Sequence, residues 1–380
     1  MTSDEKVQLI KRYAPIFWMH EDDAFLPEDC GVMENLAKVG TSPKNLRSFK
    51  LDDLGGLKDS DKYYMDIPEV DFGNFGINSN YAGPETGPKG VSAHMREKFS
   101  NNTFLYPKAR PSLPKYHARV SEISITDKGD PDSSAIKSAD SGIFGDYQVV
   151  QYFFFYLFND AWNQHISDWD STLEIFIKDD NSRAYAIFYM HYVSWAVNFS
   201  GKPQKLKPWI AGWKDVEAKK QMGWAFQYGV HPFVFVANGA HGGYPTPGFS
   251  VHGTKIFKTK ILGQTDYRQI GKLCIFPDYE PVKKEIIVDI LNTAGIEASK
   301  AKFLPWEEPL LLENQSWLKY KGLWGTKSEY EGWSGAPGPS QKSSWRMDQR
   351  RIKRALVKAI EGDYLGDWPS KILLNWQGWR

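Results

Sequence analysis

The stretch YQVVQYFFFYLF, residues 147–158, carries the strongest pattern in the chain. Nearly all of its positions are aromatic or β-branched, and the polar positions do not alternate with apolar ones. Such a run is typical of a strand that is covered on both faces. The stretch therefore predicts one continuous, buried β-strand.

Further strands are predicted downstream. STLEIFIK (171–178) and RAYAIFYMHYV (183–193) flank the turn-forming residues DDNS (179–182), which indicates a β-hairpin. HPFVFVA (231–237) predicts another short buried strand. Hairpins outnumber helical crossovers here, which favours an antiparallel sheet. The predicted fold is α+β and β-rich, with an antiparallel, jelly-roll-like β-sandwich core, peripheral helices and long loops.

The 380 residues are expected to form a single large domain, 1–380. Its core is predicted at 147–260. Residues 38–146 are rich in Gly, Pro, Asn, Ser and Asp, and are predicted to be an irregular insertion that could act as a lid. Residues 280–380 are predicted to be helical and Gly/Pro-rich, with helices at 283–295 and 347–362.

Composition and charge argue against several classes of partner. Lys plus Arg (47) nearly equals Asp plus Glu (46), so no strong field attracts nucleic acid or an anionic membrane. The longest apolar run is about half a membrane span, and the N-terminal residues lack the apolar core of a signal peptide. We therefore expect a soluble, cytoplasmic protein without integral membrane contact. Cys30 and Cys274 could pair, although free buried thiols are favoured.

Several common catalytic motifs are missing from the sequence. It contains no G-x-S-x-G elbow, phosphate-binding Walker loop, H-E-x-x-H helix or C-x-x-C pair, and no G-x-G-x-x-G after a strand. A nucleotide cofactor is therefore not expected.

The stretch HISDWD, residues 165–170, concentrates polar chemistry behind the aromatic strand. In an extended strand Asp168 and Asp170 share one face, and a turn could bring His165 round to them. The two carboxylates could bind a divalent cation, Mg or Ca. Alternatively, carboxylate and imidazole could divide acid and base roles. A polar strand end without chemistry is the third reading.

Three further histidines are candidates. Glycines surround His241 in ANGAHGGYPTPG (237–248) and would let the backbone approach closely there. His191 alternates with aromatic residues on the second strand of the hairpin and could face either core or pocket. His20 follows IFWM and precedes an acidic turn.

The order of five blocks resembles the family of vacuolar protein sorting-associated protein 62 and its plant and fungal relatives. The blocks are YAPIFWMHEDDAFLPED, YFFFYLFNDAWNQHISDWDSTLEIFI, YMHY, VFVANGAHGGYPTPG, and WLKYKGLWGTKSEYEGWSGAPGPSQKSSW. The resemblance runs from about Tyr13 to Trp345. It implies functional roles at these positions: His20, Asp22 or Asp23, His165, Asp168, Asp170, His191 and His241.

Two positions depart from the family pattern. Ser167 stands where the family has glycine, and Asp170 where it has glutamate. The stretch H-x-x-D-W-acid is also similar to a motif of necrosis-inducing toxins, where it belongs to a divalent-cation site on a β-sandwich. This similarity implies a divalent cation that is bound through oxygen ligands at Asp168 and Asp170.

These observations favour an enzyme that acts on a small, largely apolar molecule. The expected reaction is a cyclisation, cycloaddition, isomerisation or hydrolysis, such as one of fungal secondary metabolism, without a required cofactor. Its catalytic candidates are His165, Asp168, Asp170, His191 and His241. Its aromatic pocket is predicted from the following side chains: Phe153, Phe155, Trp162, Trp169, Tyr189, Trp195 and Tyr244. The alternative is a non-catalytic protein that binds glycan or lipid through a divalent cation, or acts in vacuolar sorting.

Overall fold

The computed structural model describes residues 1–20, 23, 25–67, 113–125, 145–159, 165–169, 172–178, 184–190, 193–199, 227–228, 230–237, 239, 241–244, 249–252, 255–256, 259–260, 264–267, 272–279, 282–293, 296–313, 315–325 and 335–341. The predicted helix at 347–362 and most of the predicted lid lie outside these residues.

The described part of the chain is β-rich. Its strands are β1 (Ile16–Met19), β2 (Lys38–Gly40), β3 (Tyr64–Asp66), β4 (His117–Ile125), β5 (Gly145–Phe153), β6 (Tyr156–Asn159), β7 (His165–Asp168), β8 (Thr172–Lys178), β9 (Ala184–Met190), β10 (Val193–Phe199), β11 (Gln227–Tyr228), β12 (His231–Val236), β13 (Gly243–Tyr244), β14 (Phe249–His252), β15 (Lys255–Ile256), β16 (Thr259–Lys260), β17 (Gln264–Tyr267), β18 (Leu273–Phe276), β19 (Lys302–Pro305) and β20 (Leu310–Leu311).

Helices in the described residues are few and mostly short. They are α1 (Ser3–Tyr13), α2 (Val32–Leu36), α3 (Leu51–Leu54) and α4 (Lys284–Thr293), with 3-10 turns at Pro43–Asn45, Ser60–Lys62 and Ser316–Lys319. The longest, α1, begins with a capping box in which Thr2 and Glu5 satisfy each other's backbone N–H groups. None of the described helices has the length and apolarity that a membrane span requires.

A six-stranded sheet in the order β10-β9-β8-β5-β4-β20 contains the predicted hairpin. β8 and β9 pair antiparallel, which confirms the prediction made from the DDNS turn. β4 pairs along its whole length with β5, so this sheet extends beyond the predicted core at 147–260. Only the short edge strand β20 is parallel to its neighbour in this sheet.

A second sheet, in the order β11-β12-β1-β18-β19, has mixed strand directions. β1 lies parallel to β12 and antiparallel to β18, and β18 lies parallel to β19. This sheet therefore departs from the antiparallel arrangement that was predicted for the core. The β18–β19 connection contains α4, and a parallel pair requires such a crossover because a tight turn cannot join it. The predicted helix at 283–295 supplies this crossover.

Both faces of the mixed sheet are covered. Alternate residues of a strand point to opposite faces, and β1 shows this directly. Phe17 and Met19 join the main hydrophobic cluster, which also contains Val150 and Tyr152 of β5. Ile16 and Trp18 join a second cluster that is closed by buried residues of α4. The main cluster thus receives side chains from both large sheets.

The stretch at 147–158 forms two strands, which corrects the prediction of one continuous strand. β5 ends at Phe153 and belongs to the six-stranded sheet, whereas β6 begins at Tyr156 and pairs with β7 in a separate two-stranded ribbon. Between them, the Phe155 carbonyl accepts a hydrogen bond from the Glu28 N–H (2.8 Å). The aromatic run conceals this break because it remains buried throughout.

Candidate functional site

The turn between β12 and β13 carries His241 at the centre of the site. The N–H of His241 donates to the Ala237 carbonyl (2.9 Å), and the N–H of Ala237 donates to the Gly242 carbonyl (2.9 Å). His241 adopts a left-handed backbone conformation with φ +56°. That conformation costs a non-glycine residue roughly 1–2 kcal/mol. The rest of the fold must therefore compensate for this strain.

Asp23 lies beside one nitrogen of the His241 ring. Its Oδ1 is 3.3 Å from Nε2 of His241. The same carboxylate accepts hydrogen bonds from the backbone N–H groups of Phe25 (3.2 Å) and Gly239 (3.2 Å). Asp23 is therefore held both by its own loop and by the turn that carries His241.

Asp168 lies beside the other ring nitrogen. Its Oδ2 is 3.5 Å from Nδ1 of His241, and it is the last residue of β7. The three side chains are shielded from water, with exposed fractions of 0% for His241, 1% for Asp23 and 5% for Asp168. One imidazole thus joins the loop after β1, the end of β7 and the turn after β12.

The two carboxylates control the charge of His241. Burial by itself lowers the pKa of a histidine, because it disfavours the charged ring. Here the charges and hydrogen bonds of Asp23 and Asp168 outweigh burial and raise the pKa of His241 to about 10. At neutral pH this pKa keeps the ring in its imidazolium form, with Nε2 in hydrogen-bond contact with Asp23 and Nδ1 in ion-pair contact with Asp168.

The phenol ring of Tyr156 covers one face of this imidazolium. The two ring centroids are 3.9 Å apart and the planes differ by only 4°. Tyr156 stands directly opposite Asp168 in the β6–β7 ribbon. The ribbon therefore supplies both a counter-charge and an aromatic surface to the same histidine.

Ser167 shapes the strand end that carries Asp168. Its φ of +55° is left-handed, and its hydroxyl donates to the Trp324 carbonyl (2.7 Å). Gly325, which follows Trp324, packs so closely against this strand that an added Cβ would overlap the Ile166 carbonyl oxygen and the Gly335 backbone. A left-handed conformation of this kind is adopted more readily by glycine than by serine.

His165 lies at the other end of β7 and is half-buried. Its Nδ1 lies 2.8 Å from the Ser167 carbonyl, and its Nε2 lies 3.1 Å from the Asn159 amide nitrogen. These partners fit a neutral ring that donates through Nδ1 and accepts the Asn159 N–H at Nε2. His165 is therefore positioned by its own ribbon.

The geometry of His241, Asp23 and Asp168 is that of a bridged ion group. A metal chelate requires its ligand atoms to converge on one point, whereas these carboxylates approach opposite nitrogens of the same ring. Such a group can hold a fixed charge in a dry environment and orient nearby polar atoms. The group combines two acidic side chains with one basic ring.

The structure brings together two of the predicted catalytic residues, His241 and Asp168. His165 shares the β7 strand with Asp168, and the backbone carbonyl of His20 accepts a hydrogen bond from the Asp23 N–H (3.1 Å). Asp170 and His191 lie outside the described residues, as do Asp22, Trp162 and the side chains of Tyr189 and Trp195. The predicted cation site at Asp168 and Asp170 stays a prediction.

The remaining predicted pocket residues lie in the main hydrophobic cluster. Phe153, Phe155, Trp169 and Tyr244 are each at most 2% exposed. Trp169 packs against Phe155 (centroids 4.8 Å apart) and edge-on to Trp324 (5.2 Å). They form a closely packed aromatic core beside the ion group.

Sequence reasoning included Tyr156 only in the general excess of aromatic residues around the candidate polar groups, and it gave Asp23 only as one of two alternatives by resemblance. Tyr156 could have been found by pairing the predicted strand with HISDWD, because it stands opposite Asp168. No local signal distinguishes Asp23 from Asp22, since the distinction depends on contacts with a turn more than 200 residues away.

Comparisons with protein-family models, curated protein sequences and solved structures found no match to this chain. What can be said of its function therefore derives from its own residues.

Proposed function

We propose that the protein is an enzyme that acts on a small, largely apolar molecule next to the group formed by His241, Asp23 and Asp168. The observation that carries the proposal is a fully buried histidine held between two carboxylates on a left-handed backbone. Strained backbone and strongly shifted pKa values concentrate at functional sites, because a fold retains such costs where chemistry requires them.

The excess of acidic over basic side chains in the group suggests which chemistry it would favour. A buried unit with two carboxylates and one imidazolium stabilises positive charge that develops nearby. The aromatic faces beside it add to this preference, because their quadrupoles also attract cations. We therefore favour cyclisations or isomerisations of apolar molecules that pass through positively charged transition states. Hydrolysis is the less favoured reaction.

Roles can be assigned to the chain's own residues. His241 is a positioning residue, since both of its N–H groups are directed at carboxylates and its ring is buried. Asp168 is the proposed catalytic group, because it ends the strand that begins with the half-exposed His165. His165 would then face the substrate and align it.

The proposal includes a β-sandwich as scaffold and a relationship to the vacuolar protein sorting-associated protein 62 family. The shared cluster between the two large sheets supports the sandwich. The left-handed Ser167, at the glycine position of the family pattern, supports the relationship.

The proposal is tested with a panel of linear apolar compounds that carry conjugated double bonds, alkenes or esters. Each compound is incubated with purified protein, and its conversion is followed by liquid chromatography and mass spectrometry. Wild-type protein is expected to convert a member of the panel into an isomer of equal mass. Asp168→Asn is expected to lower the rate at least about 100-fold, the usual scale for an acid–base group. His165→Gln is expected to lower the rate because the substrate is less well aligned.

His231→Gln is the matched control. His231 is also a buried histidine, but its Nδ1 lies 2.8 Å from the Ala14 carbonyl and no carboxylate approaches it among the described residues. All variants are assayed at a temperature where circular dichroism shows them folded. Conversion of no compound by the wild type, or equal losses in the His231 and Asp168 variants, would contradict the enzyme proposal.

A further inference from the structure

A second polar cluster lies where residues 27–30 run beside the start of β4. The Lys115 N–H donates to the Pro27 carbonyl (2.9 Å), and the Cys30 N–H approaches Nε2 of His117 (3.4 Å). These contacts place two consecutive residues, Asp29 and Cys30, against the His117 ring. No part of this cluster belongs to the His241 group.

The cluster contains three different kinds of metal ligand. Oδ1 of Asp29 lies 3.8 Å from Nε2 of His117, and these atoms and the Cys30 sulfur all lie within 4.8 Å of one another. Tetrahedral zinc, with bonds of about 2.0–2.3 Å, separates its ligand atoms by roughly 3.3–3.8 Å. Closing the cluster around an ion would therefore require shifts of about 1 Å or less.

Burial differs among the three ligands in a useful way. Cys30 is 1% exposed and the His117 side chain 3%, whereas the Asp29 side chain is 46% exposed. The Cys30 sulfur and the His117 ring thus lie on the inner side of the cluster, and the Asp29 carboxylate lies on the side that faces solvent. A cation has a route in, and a fourth position on the outer side stays available for water.

Glu28 provides a separate indication of missing positive charge. Its carboxyl is buried, and Oε1 has no hydrogen-bond partner among the described residues. A cation bound nearby would give this buried oxygen an interaction partner.

We propose that Asp29, Cys30 and His117 form a zinc-binding site, with Glu28 as an adjacent carboxylate. A thiolate selects Zn²⁺ over Mg²⁺ or Ca²⁺, and imidazole nitrogen and carboxylate oxygen are also zinc ligands. On binding, the Cys30 thiol releases its proton to solvent and its sulfur bonds to the ion. The Nε2 lone pair of His117 exchanges the long contact with the Cys30 N–H for the metal bond.

The site borders the His241 group through one side chain. The His117 ring packs edge-on to Trp169 (centroids 5.2 Å apart), the residue that follows Asp168. Zinc would therefore stabilise the segment that holds Asp168 without contacting it.

Cobalt titration of the purified full chain, after dialysis against a chelator, tests this site. Co²⁺ is expected to bind once per chain and to produce both a thiolate charge-transfer band in the near ultraviolet and tetrahedral bands in the visible. Added Zn²⁺ is expected to remove both. Absence of Co²⁺ and Zn²⁺ binding, or binding without the charge-transfer band, would overturn the proposal.

Cys30→Ser and Cys274→Ser form a matched pair, because both cysteines are free and buried. The first substitution is expected to abolish the charge-transfer band, and the second to leave it unchanged. If Cys30→Ser does not fold, the Asp29→Asn variant is used for the test, because the Asp29 side chain is half-exposed and its replacement should not disturb folding. It is expected to weaken Co²⁺ binding by about 10–100-fold or more. A band that survives Cys30→Ser, or affinity unchanged in Asp29→Asn, would overturn the assignment.

Discussion

The ring of His241 lies flat on the ring of Tyr156, with centroids 3.9 Å apart. The stack fixes the plane of the imidazole ring, and the two carboxylates lie at its edge. Nε2 faces Asp23 and Nδ1 faces Asp168, at distances of 3.3 and 3.5 Å. The aromatic face also favours the charged ring over the neutral one.

Replacing His241 by a residue without a positive charge should lower the stability of the fold. His241→Asn leaves two buried carboxylates without their shared cation, and asparagine tolerates the left-handed backbone. We expect the free energy of unfolding to fall by about 3–5 kcal/mol, as when one partner of a buried ion pair is removed. His231→Asn removes a neutral histidine and should cost about 1–2 kcal/mol. Urea denaturation of both variants compares them, and equal costs would contradict a charged His241.

Stability at alkaline pH should depend on His241. Its pKa is raised from 6.5 to about 10 by the nearby carboxylates, which outweigh burial. The stabilisation is therefore complete below about pH 6.5 and is lost as the pH rises towards 10. Denaturation curves between pH 7 and 10 should show wild-type stability falling more steeply than that of His241→Asn. Parallel pH profiles would contradict the assignment.

Stability at acid pH should depend on His231. Burial lowers its pKa from 6.5 to about 4 despite its bond to the Ala14 backbone. The unfolded chain then binds a proton that the folded chain excludes, so stability is lost as the pH falls from about 6.5 to 4. His231→Gln should flatten this acid limb and leave the alkaline limb unchanged. A variant whose acid limb matches the wild type would disprove this role.

The two substitutions Ser167→Gly and Ser167→Ala should separate backbone strain from hydrogen bonding. Both lose the bond to the Trp324 carbonyl, but only glycine removes the strain of φ +55°. Ser167→Gly is therefore expected to be about 1 kcal/mol more stable than Ser167→Ala. The midpoints of chemical denaturation measure this difference. If Ser167→Ala were as stable as Ser167→Gly, or more stable, backbone strain at residue 167 would be absent.

Close backbone packing should make Gly325 intolerant of a side chain. An added Cβ would overlap the Ile166 carbonyl oxygen, so we expect Gly325→Ala to cost about 1–3 kcal/mol. Gly56 is the control, because a Cβ there would lie 3.6 Å from the Asp53 carbonyl oxygen. Gly56→Ala should change stability by no more than about 0.5 kcal/mol. Similar melting temperatures for both variants would contradict the crowding.

Local pattern predicted the elements that local contacts determine. The β8–β9 hairpin, the strand β12 and the helix α4 follow from turn residues, β-branched runs and helical spacing. The break between β5 and β6 was missed because burial continues through Phe154 and Phe155 on both sides of it. A hydrophobic run indicates that the chain is buried, but it does not indicate where the chain leaves one sheet and enters another.

The candidate site was only partly predictable for a related reason. Glycines around His241 marked an unusual backbone, and HISDWD marked a polar strand end. Their meeting depends on strand order, which places the turn after β12 beside β1 and the β6–β7 ribbon. The cluster of His117 with Asp29 and Cys30 had no signal at all, because its parts are 87 residues apart.

The protonation state of His241 tests the central claim most directly. Long-range proton–nitrogen correlation spectra of ¹⁵N-histidine-labelled protein at pH 8 report whether one or both ring nitrogens carry a proton. A ring clamped by Asp23 and Asp168 should show both nitrogens protonated, with a titration midpoint near pH 10. His241→Asn identifies the signal by its disappearance. A signal from one bare nitrogen at pH 8, with a midpoint near 6.5, would contradict the buried imidazolium and the function proposed from it.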